Sequence, residues 1–153
     1  MKQKVIQNVF ELYDSSDFVQ KLIANFKKDH HYKVNVKGFL GSGLSILTGH
    51  LYDRVARNTI LIFDDKEEAA YVLNDLENLF DKDQILFFPA SYKRPYEVEE
   101  VNNANVVIRT EVLNVLSNSK RPKIVVTYAE ALLEKVVTKK ALSTNTLKVK
   151  VGN

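Results

Sequence analysis

The spacing of apolar residues predicts four main helices in this chain. Apolar residues recur every three or four positions in "SSDFVQKLIANFKK", "GLSILTGHLYDRVAR", "KEEAAYVLNDLENLF" and "NVVIRTEVLNVL", which is the period of an amphipathic helix. In the second stretch the apolar positions on one helix face are Leu44, Leu47, Leu51 and Val55. Serine and aspartate at the start of the first stretch are residues that commonly cap helix N-termini.

Four apolar runs alternate with these helices and predict β-strands. They are "YKVNVKGF", "NTILIFDD", "QILFFP" and the first part of "PKIVVTYAEALLEKV". The second part of the last stretch predicts a further helix. Continuous apolar strands alternating with helices are typical of parallel sheets. The predicted fold class is therefore α/β, with a parallel sheet covered by helices on both faces. The tail "TLKVKVGN" alternates apolar residues with lysines, and this pattern predicts a strand that leads to a following domain.

Composition limits the classes of protein to consider. The chain has 153 residues, 45% of them apolar, which suits one globular unit. Its 22 basic and 19 acidic residues leave a net charge of +3, which does not favour an autonomous nucleic-acid clamp. There is no cysteine, so disulfides and thiolate metal sites are excluded. No apolar run reaches the roughly 20 residues of a membrane span, and no signal peptide begins the chain, so we expect a cytoplasmic protein without membrane contact.

The stretch "KGFLGSGLSIL" has the glycine spacing of a phosphate-binding loop. Gly38, four intervening residues, Gly43 and then Ser45 reproduce the pattern G-x-x-x-x-G-K-[ST], with Leu44 in place of the lysine. In a working loop, backbone N–H groups cradle the phosphates, the lysine contacts the β- and γ-phosphates, and the hydroxyl holds magnesium. The glycines, which include Gly41, keep the backbone part of this arrangement, but Leu44 supplies neither charge nor hydrogen bond.

We therefore expect a degenerate phosphate loop without ATP hydrolysis. Charge-assisted hydrogen bonds are worth about 1.5–3 kcal/mol each, so losing the lysine weakens phosphate binding by about tenfold or more per bond. A tight strand-to-helix turn with no phosphate chemistry explains the same glycines. Asp64 and Asp65, at the end of "ILIFDD", fit the acid of a Walker B segment, but the preferred prediction is that Asp65 caps the following helix.

A polar and aromatic segment, "ASYKRPYEVEEVNNA", follows Pro89 and predicts a loop of about fifteen residues. Loops of this length in compact α/β domains are often functional or contact a partner. The candidate interaction residues are Tyr92, Lys93, Arg94, Pro95, Tyr96 and Glu97. Aromatic and basic side chains of this kind stack on or pair with nucleic acid, but the preferred prediction is an ordered loop packed on the domain.

Taken in order, these segments resemble the N-terminal region of the bacterial transcription-repair coupling factors, the Mfd family. The most specific stretch, "FFPASYKRPYE", is similar to "FPDWETLPYD" in the family. The matching positions are Phe88, Pro89, Pro95 and Tyr96, with Glu97 in place of the aspartate. Arg109 falls on an arginine of the following helix. The resemblance covers residues from about 15 to 151.

The resemblance implies a helicase-like domain similar to domain 1a of the excision-repair protein UvrB, with a decayed phosphate loop. It divides the chain into an N-terminal extension (residues 1–14), domain 1a (residues 15–140) and the start of a connection to an inserted second domain (residues 141–153). The implied role is non-catalytic support of UvrA recruitment, and restraint of a DNA translocase, in transcription-coupled nucleotide-excision repair. UvrA binds mainly through the second domain, while ATP, magnesium, DNA and RNA polymerase bind domains further along the protein.

Two other functions fit parts of the sequence. A small P-loop phosphotransferase would have to tolerate the missing lysine, and it gives "FFPASYKRPYE" no role. A truncated UvrB-like DNA-binding protein would need the long tyrosine-rich hairpin with which UvrB probes DNA for damage. The segment here is too short for that hairpin, so the non-catalytic module is the preferred prediction.

Overall fold

The computed structural model describes residues 2–28, 31–92 and 102–138. The helices are α1 (Lys2–Asp14), α2 (Asp17–Lys27), α3 (Gly43–Val55), α4 (Lys66–Leu79), α5 (Asn103–Asn118) and α6 (Ala129–Leu133). The strands are β1 (Thr59–Phe63), β2 (Ile85–Phe88) and β3 (Ile124–Tyr128). The α/β class is confirmed, and each predicted helix is present at the position that its apolar spacing indicates.

The strands form a parallel sheet in the order β1–β3–β2. In the central strand, Ile124 is level with Thr59 of β1 and with Ile85 of β2. All five residues of β3 are buried, as expected for a strand that has a neighbour on each side. Helix α4 connects β1 to β2, and α5 connects β2 to β3. The predicted parallel arrangement is therefore confirmed for the three strands described.

Helices cover the two faces of the sheet to different extents. Side chains alternate between faces along a strand, so Ile60 and Ile62 point away from Phe63. The two isoleucines are each 60% exposed, whereas Phe63 is buried. Helix α4, which contacts all three strands, therefore lies on the face of Phe63. Helix α5 lies on the opposite face, because its Arg109 stacks on Phe88, which is level with Ile62 across the sheet. The predicted cover on both faces is incomplete at β1.

The predicted strand at "YKVNVKGF" is wrong, since residues 31–40 contain no strand. Val34 packs against the apolar cluster of α2 and α3, and Val36 is exposed. Alternating valines favour an extended backbone, but a strand also needs a hydrogen-bonded neighbour. No strand of the described part of the chain lies beside this segment. The glycine turn therefore follows an irregular segment rather than a strand.

The N-terminal residues form a helix that the sequence reading did not predict. Helix α1 packs against α2 and α3, and its Phe10 is buried. Residues 139–153, which include the predicted strand at "TLKVKVGN", lie outside the described residues. None of the helices described here is long and apolar enough to cross a membrane.

Candidate functional site at the carboxyl edge of the sheet

The glycine turn lies directly before α3 and uses backbone conformations that favour glycine. Gly38 has a φ of 91° and Gly41 a φ of 53°, values that other residues rarely adopt. Gly43 begins α3, and a Cβ atom there would lie 3.2 Å from Phe39 Cδ1. The three glycines therefore have a structural explanation as a tight turn into a helix, whether or not a phosphate binds there.

The Ser45 hydroxyl, which would hold magnesium in a working loop, is engaged within the protein. Ser45 is fully buried and donates to Asp75 Oδ2 on α4 at 2.9 Å. Nearby, the hydroxyl oxygens of Ser42 and Tyr71 lie 3.2 Å apart. Both contacts join the start of α3 to α4. A carboxylate at this position repels a phosphate, so Ser45 serves as a link between two helices.

Leu44 lies at the surface and does not belong to the apolar face predicted for α3. Its side chain is 39% exposed, whereas Leu47 is 4% exposed. Leu51 and Val55 pack against the cluster of α2 and α3, so three of the four predicted positions on this face are confirmed. Leu44 therefore occupies the place of the phosphate-binding lysine without contributing to the core.

The aspartates that follow β1 act at the start of α4. The Asp65 carboxylate accepts a hydrogen bond from the Glu68 backbone N–H at 2.8 Å, which confirms the predicted N-cap. Asp64 is exposed. Across the described part of the chain, His, Asp and Glu residues form no group of three or more that could hold a metal ion.

A buried arginine lies at the carboxyl ends of β2 and β3. The Arg109 side chain is 7% exposed, and its Cζ atom lies 4.1 Å from the centroid of the Phe88 ring. Its Nη1 donates to Pro89 O at 2.7 Å and to Ala131 O at 3.0 Å. Arg109 therefore joins the end of β2 to α5 and α6. The carboxyl ends of parallel strands are also where α/β proteins bind their ligands.

Glu134 fixes the residues at which the long loop leaves β2. Its Oε1 accepts from the backbone N–H of Ser91 at 2.7 Å and from that of Tyr92 at 3.2 Å. Its Oε2 accepts from the Ser91 hydroxyl at 2.5 Å and lies 3.5 Å from Arg109 Nη1. At the other end of the loop, Asn102 N donates to Ser91 O at 2.7 Å. The ends of the loop are thus held together on the domain.

Of the predicted interaction residues, the structure places Tyr92, which is 43% exposed. Residues 93–97, which comprise Lys93, Arg94, Pro95, Tyr96 and Glu97, lie outside the described residues. The sequence reading missed Glu134 and noted Arg109 only for its match to a family position. A signal was available for the arginine, because it lies three positions before the buried Val112 on the inward face of α5.

A second cluster of titratable groups joins α1 to α3. His50 is fully buried, and its Nε2 lies 3.0 Å from Asp14 Oδ1. Burial lowers the pKa of His50 below its usual value, against the attraction of the Asp14 carboxylate. The Arg54 guanidinium pairs with Asp14 and lowers the pKa of that carboxyl group. Phe10 and Tyr13 pack around the imidazole, whereas the Arg54 and Asp14 side chains are 38% and 30% exposed. The cluster is therefore a contact between helices that is buried at His50 and open to solvent at the ion pair.

Known proteins provide no assignment for this chain. No protein-family model matches it, and neither a curated protein nor a solved structure does so. The function is therefore inferred from the chain's own residues at the glycine turn and at the ends of β2 and β3.

Proposed function

We propose that this chain is a non-catalytic N-terminal module of a bacterial transcription-repair coupling factor, similar to the helicase-like domain 1a of UvrB. In this role it supports a second domain that binds UvrA, and it restrains the ATP-dependent DNA translocase of the same protein. The module works in the cytoplasm through its surfaces. ATP, magnesium, DNA and RNA polymerase bind other domains.

One contact carries the proposal. Phe88, Pro89 and Arg109 are the described positions at which the sequence matches the family, and they lie together in the structure. Arg109 stacks on the ring of Phe88 and donates to the carbonyl of Pro89, twenty positions earlier in the chain. A buried guanidinium needs such partners, so the three residues act as one unit. A shared structural role of the three residues supports the resemblance to the family.

The glycine turn supports the non-catalytic part of the proposal. A phosphate loop needs a free hydroxyl and a cation beside the phosphates, whereas Ser45 donates to Asp75 and Leu44 has no charge. The Ser45 side chain is fully buried, although Leu40 in the turn before it is 89% exposed. These contacts fit a turn kept for its structure after its phosphate chemistry was lost.

The test replaces domain 1a of a bacterial transcription-repair coupling factor with this chain and leaves the UvrA-binding second domain in place. We expect the chimera to retain UvrA binding in pull-down assays and to restore preferential repair of the transcribed strand in cells that lack the factor. The same chimera with Leu44→Ala should behave identically, because the proposal gives Leu44 no role in nucleotide binding. A chimera that is stable and displaces RNA polymerase, yet fails to recruit UvrA, would contradict the proposal.

The isolated chain separates the alternatives. ATP turnover above background that is abolished by Ser45→Ala would favour a phosphotransferase. Sub-micromolar DNA binding at about 150 mM salt would favour a UvrB-like DNA-binding protein. The proposal predicts neither activity.

A further inference from the structure

The carboxylate of Glu134 lies in a set of donors that has the chemistry of an anion site. We call this set the anion cradle. It consists of the backbone N–H groups of Ser91 and Tyr92, the Ser91 hydroxyl and the Arg109 guanidinium. The two N–H groups bind Oε1, while the hydroxyl binds Oε2 and the guanidinium lies beside it. Each carboxylate oxygen thus has its own donors, as in bidentate recognition of a carboxylate.

Arg109 has more donor capacity than the protein uses. Its Nη2 is buried and has no hydrogen-bond partner within the described residues, although its Nη1 binds two carbonyl oxygens. Leaving a buried charged donor unpaired is costly, so the guanidinium keeps unused donor capacity next to Nη1, the nitrogen that lies beside Glu134. The donors lie on other elements than Glu134, because Ser91 follows β2, where its carbonyl accepts from Asn102 N, and Arg109 belongs to α5.

Glu134 reaches the cradle from a segment whose apolar side chains are exposed. Helix α6 has five residues, and its buried side chain is that of Ala131. Leu133 is 86% exposed, and Val136 and Val137 are each more than half exposed. Apolar packing therefore does little to hold residues 133–137, and Glu134 contacts the cradle through its carboxylate. Removing this one side chain from the cradle therefore requires little rearrangement of the core.

We propose that the anion cradle is a carboxylate-binding site, which the chain fills with its own Glu134 and which binds the carboxylate of another molecule when Glu134 withdraws. The ligand is a small organic acid or an acidic side chain of a peptide. Since Glu134 is tethered beside the cradle, it competes at a high effective concentration. An external carboxylate therefore binds at the expense of the segment that follows α6. The inference does not depend on the proposed function.

The test is chemical rescue of Glu134→Ala in the 153-residue protein. Formate is titrated at constant ionic strength against chloride, and thermal unfolding is followed by circular dichroism. We expect a saturable stabilisation specific to formate, which at ten times the dissociation constant raises the melting temperature by about 3–6 °C. The wild type should need a much higher formate concentration for the same effect, because the tethered Glu134 competes for the cradle. Glu130→Ala, which removes an exposed glutamate on α6, is the matched control and should show no effect of formate.

Further variants and ligands identify the donors and the source of the carboxylate. Adding Ser91→Ala to Glu134→Ala should weaken formate binding by about tenfold, because one donor to a charged acceptor is lost. A blocked tripeptide with a central glutamate, compared with its glutamine counterpart, tests for a protein ligand. Rescue by formate alone identifies a site for small acids, and rescue by both identifies a site open to acidic peptides.

Two results would overturn the inference. One is a folded Glu134→Ala protein that responds equally to formate and chloride, since Glu134 would then only tie down a helix end. The other is formate binding that Ser91→Ala leaves unchanged. If Glu134→Ala is unfolded in chloride, the titration measures recovery of the folded circular dichroism signal, and absence of recovery would equally reject the site.

Discussion

Ser45→Ala is expected to weaken the contact between α3 and α4 without affecting any nucleotide chemistry. In a phosphate loop this hydroxyl would bind magnesium, whereas here it donates to Asp75 at 2.9 Å from a fully buried position. The substitution therefore distinguishes a structural serine from a catalytic one.

The size of the effect follows from the burial of the two partners. A hydrogen bond to a charged acceptor is worth about 1.5–3 kcal/mol. Asp75 is only partly buried, so water replaces part of the lost bond and lowers the expected cost to about 1–2 kcal/mol of unfolding free energy. Asp75→Ala leaves the buried Ser45 hydroxyl without its partner, and its cost is about 1–3 kcal/mol. The double variant should be less destabilised than the sum of the two by about 1 kcal/mol.

Urea denaturation of the four proteins of this double-mutant cycle measures the coupling directly. Ser42→Ala is the matched control, because its hydroxyl contacts Tyr71 at an exposed position, and its effect should remain within about 0.5 kcal/mol. Addition of ATP with magnesium should leave the unfolding free energy of the wild type unchanged. Additivity within about 0.3 kcal/mol would refute the coupling, and stabilisation by magnesium ATP that Ser45→Ala abolishes would show that the hydroxyl serves a nucleotide.

Three further outcomes are expected. Burial lowers the pKa of His50 from 6.5, so the unfolded state binds more protons than the folded state as the pH falls below 6.5, and the unfolding free energy declines. His50→Gln should flatten this dependence of the unfolding free energy on pH, as measured by urea titrations at several pH values. An unchanged pH dependence would exclude His50 as its source. Leu44→Lys should give at most weak ATP binding and no turnover, since Asp75 still holds Ser45. Calorimetry measures the ATP binding and a phosphate-release assay measures turnover. Measurable ATP hydrolysis would contradict the prediction. The chain should not bind DNA with sub-micromolar affinity at about 150 mM salt, because its charges nearly balance. Fluorescence anisotropy measures this affinity, and sub-micromolar binding that the double variant Lys93→Glu, Arg94→Glu abolishes would contradict the prediction.

The sequence predicted those elements whose signal is contained within the element itself. Helix α4 has an apolar period and the Asp65 cap, and both are present in the structure. Strands β1, β2 and β3 are nearly continuous apolar runs, which is the pattern of strands inside a parallel sheet. Helix α1 could also have been predicted, because Ile6, Phe10 and Tyr13 recur at helical spacing.

The segment before the glycine turn shows where local pattern is insufficient. Val34 and Val36 alternate as in a strand, but strand formation depends on a partner that the pattern does not specify. In the structure, Val34 contributes to the apolar cluster of α2 and α3. The glycine spacing predicted a phosphate loop, but the Ser45 hydroxyl donates a hydrogen bond to Asp75, thirty positions away in the sequence. Neither outcome follows from residues adjacent in sequence.

The anion cradle depends even more on topology. Glu134 and Ser91 are 43 positions apart, and each alone resembles an ordinary surface residue. They meet because β2 and β3 are parallel neighbours, so that the segments after the two strands emerge at the same edge of the sheet. Arg109 reaches this edge from α5, which connects the two strands. The apolar pattern predicted a parallel sheet but not its strand order. That order decides which side chains meet at the carboxyl ends, and the proposed carboxylate site is a consequence of it.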